Sequence, residues 1–261
     1  MPLSSSTSTI SPTEIIATIK NSSLFTIVVE GPGDAVVLRK LEEEFLDVGL
    51  NLIAAGGRLP VLEVFRRRHE LPSTARVIFL ADLDLWILSS VPPEYRDHHD
   101  LVFTNGHSIE NDMFIDGDMR QLMTAAEREK FAKGVEIVCR WYALVAKRHL
   151  DAIDDEALDP IDIHPKQLLD DERRRAELMR QKENEQYPDA LFERIVGNYS
   201  CFLRGKTLIK LVEMHSTAHR YNSNSLLNLA AARRGPNLQA IGQRVRSYLA
   251  RMIAPTPIRA G

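Results

Sequence analysis

The chain has 261 residues, 44% apolar and 26% charged, with a formal net charge of −3 and two cysteines. That length buries a substantial core in one large or two modest domains, and the ordinary composition argues against pervasive disorder. No apolar run approaches the ~20 residues of a membrane span, and the Lys- and Arg-free start lacks the charged and greasy regions of a signal peptide.

Cys139 and Cys201 sit in apolar, helical contexts, form no ligand cluster and suit a reducing cytoplasm. Charge is unevenly spread. Six acids and no base lie between Asp151 and Asp162, whereas Met214 to Gly261 holds seven arginines and no acid. One end of the chain can therefore hold a polyanion despite the acidic average, or the two regions simply face solvent.

In chain order, residues 1–11 read as a polar leader. Pro12 followed by Ile15, Ile16 and Ile19 predicts a short helix with Pro in its first turn. The near-continuous apolar run Leu24–Val29 predicts a strand buried in a parallel sheet. Gly31-Pro32-Gly33 makes a tight turn, after which Val36, Val37, Leu38, Leu41, Phe45 and Leu46 recur at helical spacing. Val48–Ala55 is the second strand, closed by Gly56-Gly57, and Pro60 opens a helix with Val61, Val64 and Phe65 that ends near His69 and Pro72. Arg76–Leu80 is a third strand running into Asp82 and Asp84, residues 85–100 a surface loop, and Leu101–Thr104 a short fourth strand. Repeated strand and helix units predict an α/β fold, a parallel sheet covered by helices.

Past Asp118 the pattern turns mainly α-helical. Helices are expected over Ala125–Leu150, Asp171–Gln186, Leu191–Val196, Lys206–Tyr221, Leu226–Ala232 and Leu238–Ile253, with glycines and Asn222 between them. The expected organisation is an α/β catalytic domain over 1–118 and a helical region over 119–261 that packs on it or extends from it.

Three acids stand where strands end. Glu30 leaves the first strand beside two glycines, and Asp82 and Asp84, two apart, share a face if the segment is extended, with Leu83 and Leu85 on the other. Clustered carboxylates oppose one another's ionisation, and a hard divalent cation removes that cost. Oxygen-only ligands point to Mg2+ or Mn2+ rather than zinc, and such ions serve phosphoryl chemistry. Glu110, in SIEND after the fourth strand, is an outer candidate ligand. Asp34 and His107 are supporting candidates, His107 for proton transfer or phosphate contact. Each also has a plain reading: strand-end acids often cap helices, as Asp34 can, and His107 can be an ordinary loop histidine. GPGDAVV lacks the third glycine of a dinucleotide fingerprint and the Gly-Lys-Ser/Thr ending of a P-loop. Lys206 and Lys210 share a helical face next to Arg204, and Arg233, Arg234, Arg244 and Arg251 follow, all candidates for phosphate-backbone contacts or solvated helix faces.

VEGPGD at 29–34, AGG at 55–57 and ADLD at 81–84 together resemble the Toprim fold, the metal-binding module of topoisomerases, bacterial primases and overcoming-lysogenization-defect nucleases. GGRLPVLEVF at 56–65, TNGHSIENDMF at 104–114 and FLRGKTL at 202–208 extend the likeness to a bacterial family of stand-alone Toprim-like proteins with a helical extension, encoded beside ATPases in phage-defence loci such as PARIS. The resemblance implies that Glu30 is a general acid or base and metal ligand and that Asp82 and Asp84 are the Asp-x-Asp metal pair; Lys206, in an RGK that follows one apolar stretch and opens an apolar helix, is a further catalytic candidate. It implies a cytoplasmic, magnesium-dependent nuclease acting on DNA or RNA, transfer RNA included, held in check by an ATPase partner. A homodimer is a further expectation, a membrane is not. The competing expectation is a noncatalytic Toprim-like module that binds the ATPase, and nucleotidyl transfer as in primases ranks third because no zinc- or template-binding module accompanies the motifs.

Overall fold

A computed structural model describes residues 10–42, 45, 46, 48–152, 158–216 and 221–253. The elements begin with α1 (Pro12–Lys20), β1 (Phe25–Val29), α2 (Pro32–Glu42), β2 (Leu50–Ala54), α3 (Arg58–Arg66), β3 (Val77–Ala81) and β4 (Leu101–Phe103). There follow α4 (Ile109–Asp116), α5 (Ala125–Asp151), α6 (Lys166–Leu169), α7 (Glu172–Leu178), α8 (Asp189–Gly197) and α9 (Tyr199–Phe202). The series closes with α10 (Gly205–His215), α11 (Ser223–Arg233) and α12 (Pro236–Ile253).

The strands form one parallel sheet in the order β2-β1-β3-β4. β1 and β3 occupy the middle and are buried at every position, the burial of strands covered on both faces. The apolar runs in the sequence thus mark the central strands to within a residue. The β2 run is shorter than its apolar pattern, because Gly49 takes a φ of 66° and the Val48 N–H turns back to the Phe45 carbonyl. Leu46, expected on the helical stripe, is exposed.

The chain divides into two units that do not follow a single cut at residue 118. One comprises 1–82, 93–103 and 239–261, and the other 83–92 and 104–238. The sheet unit is closed by the last helix. Ile241, Val245 and Leu249 recur at helical spacing and are buried. Ile241 and Val245 meet Ile27, Ile78, Leu80 and Val102 across a small apolar void, and Tyr248 stacks on Phe25 with ring centroids 6.2 Å apart. α1, capped reciprocally by Ser11 and Glu14, packs its buried Ile15, Ile16 and Ile19 on the α3 side of this unit. Part of the expected 85–100 surface loop belongs to the core here: Tyr95 is buried against Phe65, and His98 meets the Phe65 ring edge-on at 5.0 Å.

The helical unit is built on α5, started by a Thr124–Glu127 capping box and carrying fully buried Trp141 and Tyr142. The charged helix expected over 171–186 stops at Leu178. Arg148, whose side chain is 8% exposed, binds both Glu185 carboxylate oxygens at 2.7 and 2.6 Å and the Arg180 carbonyl at 2.8 Å. The Lys182 N–H also donates to Glu185, so the chain folds back instead of winding on. α10 ends at His215, where the buried Ser216 hydroxyl bonds the Val212 carbonyl, and residues 217–220 of the longer expected helix lie outside the described ones. Among the described residues no helix is long and apolar enough to cross a membrane.

Candidate metal centre

In the sheet unit, β1 and β3 are neighbours and end together. Past the Val28–Phe79 pair, Glu30 follows on one strand and Asp82 on the other. The Asp82 N–H donates to Glu30 Oε1 at 2.7 Å, so the end of one strand orients the carboxylate of the other. The Glu30 carbonyl accepts the N–H groups of Gly56 and Gly57 at 2.9 and 2.8 Å. Those glycines take φ values of 90° and 137°, conformations a side chain disfavours, which is what the AGG turn requires. Asp34, 9% exposed, accepts the Gly31 N–H at 2.7 Å and closes the first turn of α2, so the structure gives it the capping role.

The extended presentation expected for Asp82 and Asp84 does not occur. β3 ends at Ala81, Leu83 is helical in backbone, and Asp84 turns left-handed with φ 47° to start a 3-10 turn over Asp84–Ile87. The two aspartates therefore do not leave one face of a strand, and Leu83 and Leu85 are half-buried rather than core. The cause lies in the helical unit, where the Asp84 N–H donates to the His107 carbonyl at 2.8 Å and the Leu83 N–H to the Thr104 hydroxyl at 3.2 Å.

Within that unit, Asp84 Oδ1 lies 3.7 Å from His107 Nδ1, and His107 is buried. The His107 ring stands edge-on to Tyr142 at 6.1 Å. The Tyr142 hydroxyl is buried without a hydrogen-bond partner among the described residues, and burial followed by the Asp84 charge pushes its pKa far up, so it stays a proton donor. Tyr142 falls inside the helix expected over Ala125–Leu150, and the helical pattern gave no hint of this neighbourhood. Its signal was a Tyr at a position where Phe would pack as well.

The two distant motifs singled out in the sequence meet. The buried Asn111 amide donates to the Ser200 and Leu203 carbonyls at 2.8 Å each. Gly205, at the start of α10, lies so close that a Cβ would overlap Ser108 Oγ and Asn111 Oδ1. Glu110 is half-buried and accepts the Ser108 hydroxyl at 2.6 Å. Asp112, fully buried, accepts the N–H groups of Asn105 and Gly106 at 3.0 and 2.8 Å, and so shapes the loop before His107. Lys206 is exposed on the first turn of α10, and Arg204 pairs with Asp162 at 2.8 Å.

Among the described residues neither unit by itself gathers three His, Cys, Asp or Glu side chains into a group that could hold a metal ion. The pair in the sheet unit, Glu30 and Asp82, offers oxygen donors only, the chemistry of a hard divalent cation. The cysteines take no part: burial pushes the Cys139 thiol up to about 12 and raises that of Cys201. The chain matches no protein-family model and no curated protein.

Proposed function

We propose that the chain is a divalent-metal-dependent nuclease that hydrolyses phosphodiesters of DNA or RNA, as the effector of an ATPase-regulated phage-defence system. One observation carries the chemical part: Glu30 and Asp82 stand together at the carboxyl ends of two adjacent central parallel strands, joined at 2.7 Å. Ligands of open α/β sheets bind at those ends. Regulation by an ATPase, and defence as the setting, rest on the Toprim-like resemblance alone.

The donor set fits Mg2+ or Mn2+, with Glu30 and Asp82 as holders and Asp84 nominated by the Asp-x-Asp resemblance. The bound ion supplies charge stabilisation at phosphoryl oxygens and acidifies water. Glu30 arrives preoriented, its side chain fixed by the Asp82 N–H and its backbone by the glycine turn, which spares the cost of ordering it during reaction. Asp84 beside His107 forms a carboxylate–imidazole pair suited to moving a proton. The exposed Lys206 ammonium suits a strand phosphate, which positions a substrate without reading its bases.

The test is incubation of the full chain, freed of any partner, with plasmid DNA and total RNA in Mg2+ or Mn2+, beside Glu30→Gln and an Asp82→Asn, Asp84→Asn double variant. Metal-dependent cleavage lost in both variants is the expected result and reveals the substrate class. Folded wild-type protein that cleaves neither and binds no divalent ion overturns the reading in favour of a noncatalytic module that binds an ATPase.

A further inference from the structure

The sheet unit also holds a concavity, of different chemistry from the Glu30–Asp82 pair. A cleft of about 400 Å³ lies between the segment His98–Val102, which leads into β4, and the facing side of α12. Arg244 and Arg251 both line it. Seven residues apart, they sit two turns along one helix face, roughly 10 Å apart on the axis, with Ser247 between them. Among the described residues no carboxylate lines the cleft.

The two guanidinium groups differ in what holds them. Arg244 lines the cleft and donates to the Phe103 carbonyl at 3.0 Å, which ties it to β4. Arg251 is exposed and has no ion-pair partner among the described residues. Asp100, which directly precedes Leu101, is already paired with Arg68 at 3.2 Å, although its charge still reaches Tyr248. His98 is committed to structure, with Arg68 and the Glu94 carbonyl at its ring nitrogens, whereas His99 is exposed. Leu101, Val102 and Ala240 supply an apolar strip, and Gln243 and Ser247 supply an amide and a hydroxyl beside it.

Two like charges held on one face repel each other, and a shared anion reverses that cost. An apolar ring matches the chemistry of that lining, an amide reads a polar edge, and guanidinium forks match phosphate geometry. The volume falls within the range of small-molecule sites, about 300–1,000 Å³. We propose that this cleft is a binding site for a nucleoside phosphate, with the phosphate held by Arg244 and Arg251 and the base against Leu101, Val102 and Ala240. The site is independent of Glu30 and Asp82 and does not rest on the nuclease reading.

Isothermal titration of the full chain in EDTA, which silences any metal-dependent binding, tests it with four probes: AMP, adenosine, inorganic phosphate and a short oligothymidylate. Saturable AMP binding is expected, at least 10-fold tighter than adenosine or phosphate alone. Arg251→Gln is expected to weaken AMP binding at least 10-fold, Arg251→Lys less, and Glu30→Gln not at all. Arg244→Gln also uncovers the Phe103 carbonyl, so the exposed Arg251 is the discriminating position. Absence of AMP binding at millimolar concentration overturns the proposal, as does undiminished binding by Arg251→Gln, phosphate binding as tight as AMP, or saturation by the oligothymidylate alone.

Discussion

In the helical unit, Asp112 accepts two loop N–H groups, and Asp116 accepts those of Asn237 and Leu238 at 3.0 and 2.8 Å as well as the Asn237 amide, starting α12. Both acids are buried. In the sheet unit, Glu30 and Asp82 are half-buried at the end of the sheet, and one N–H from Asp82 orients Glu30. A carboxylate sunk among backbone donors is a structural group, its charge spread over hydrogen bonds that would otherwise be unmade. A carboxylate at the edge of parallel strands, held in direction but not enclosed, suits an incoming cation.

That contrast can be broken by substitution. Glu30→Gln should lower metal-dependent cleavage at least 10³-fold, about 4 kcal/mol of transition-state stabilisation, while Tm moves little. If Tm falls instead as far as for a buried cap, Glu30 belongs with Asp112 and Asp116. Asp116→Ala removes the acceptor for three donors and should cost about 3 kcal/mol, roughly 6–12 °C in Tm, with divalent-ion affinity unchanged in titration. Gly205→Ala forces apart the contact with Ser108 and Asn111 and should cost about 2 kcal/mol in denaturant unfolding.

The smallest effect concerns His215, whose Nε2 is buried without a partner among the described residues. Burial, and then the Lys130 charge, lower its pKa below the ordinary value, against the opposing pull of Asp170 and Glu127. The unfolded chain therefore takes up the proton first. Stability conferred by keeping His215 neutral is present above about pH 6.5 and lost as pH falls through the lower folded value. Thermal scans between pH 7 and 5 should show wild type losing more Tm than His215→Asn, and equal slopes would refute the assignment.

Local patterns made much of this fold legible. The apolar runs 24–29, 76–80 and 101–104 needed only neighbouring residues to announce strands, and Pro12 and the helical spacing from Ala125 announced helices. Glu30 and Asp82 were legible for the same reason, because strand ends can be read from strand runs. What escaped depends on partners far along the chain. Asp84 turns left-handed because His107 and Thr104 bind its segment, the charged helix breaks at Leu178 where Arg148 captures Glu185, and Asp116 serves a helix that begins at Pro236. No window of sequence contains both members of such a pair. The Arg244–Arg251 spacing was visible, but the apolar strip opposite it required β4 to be placed.

Closure of the sheet unit by α12 has a consequence for synthesis. β4 leaves the ribosome long before Gln239, and the intervening segment Thr104–Leu238 takes roughly 7–30 s to translate at ~5–20 residues per second. Through that interval the Ile27, Ile78, Leu80 and Val102 side of the sheet waits without Ile241 and Val245. A nascent chain stalled or truncated before α12 displays that seam beside a short open strand edge, the surface that chaperones hold and aggregates recruit.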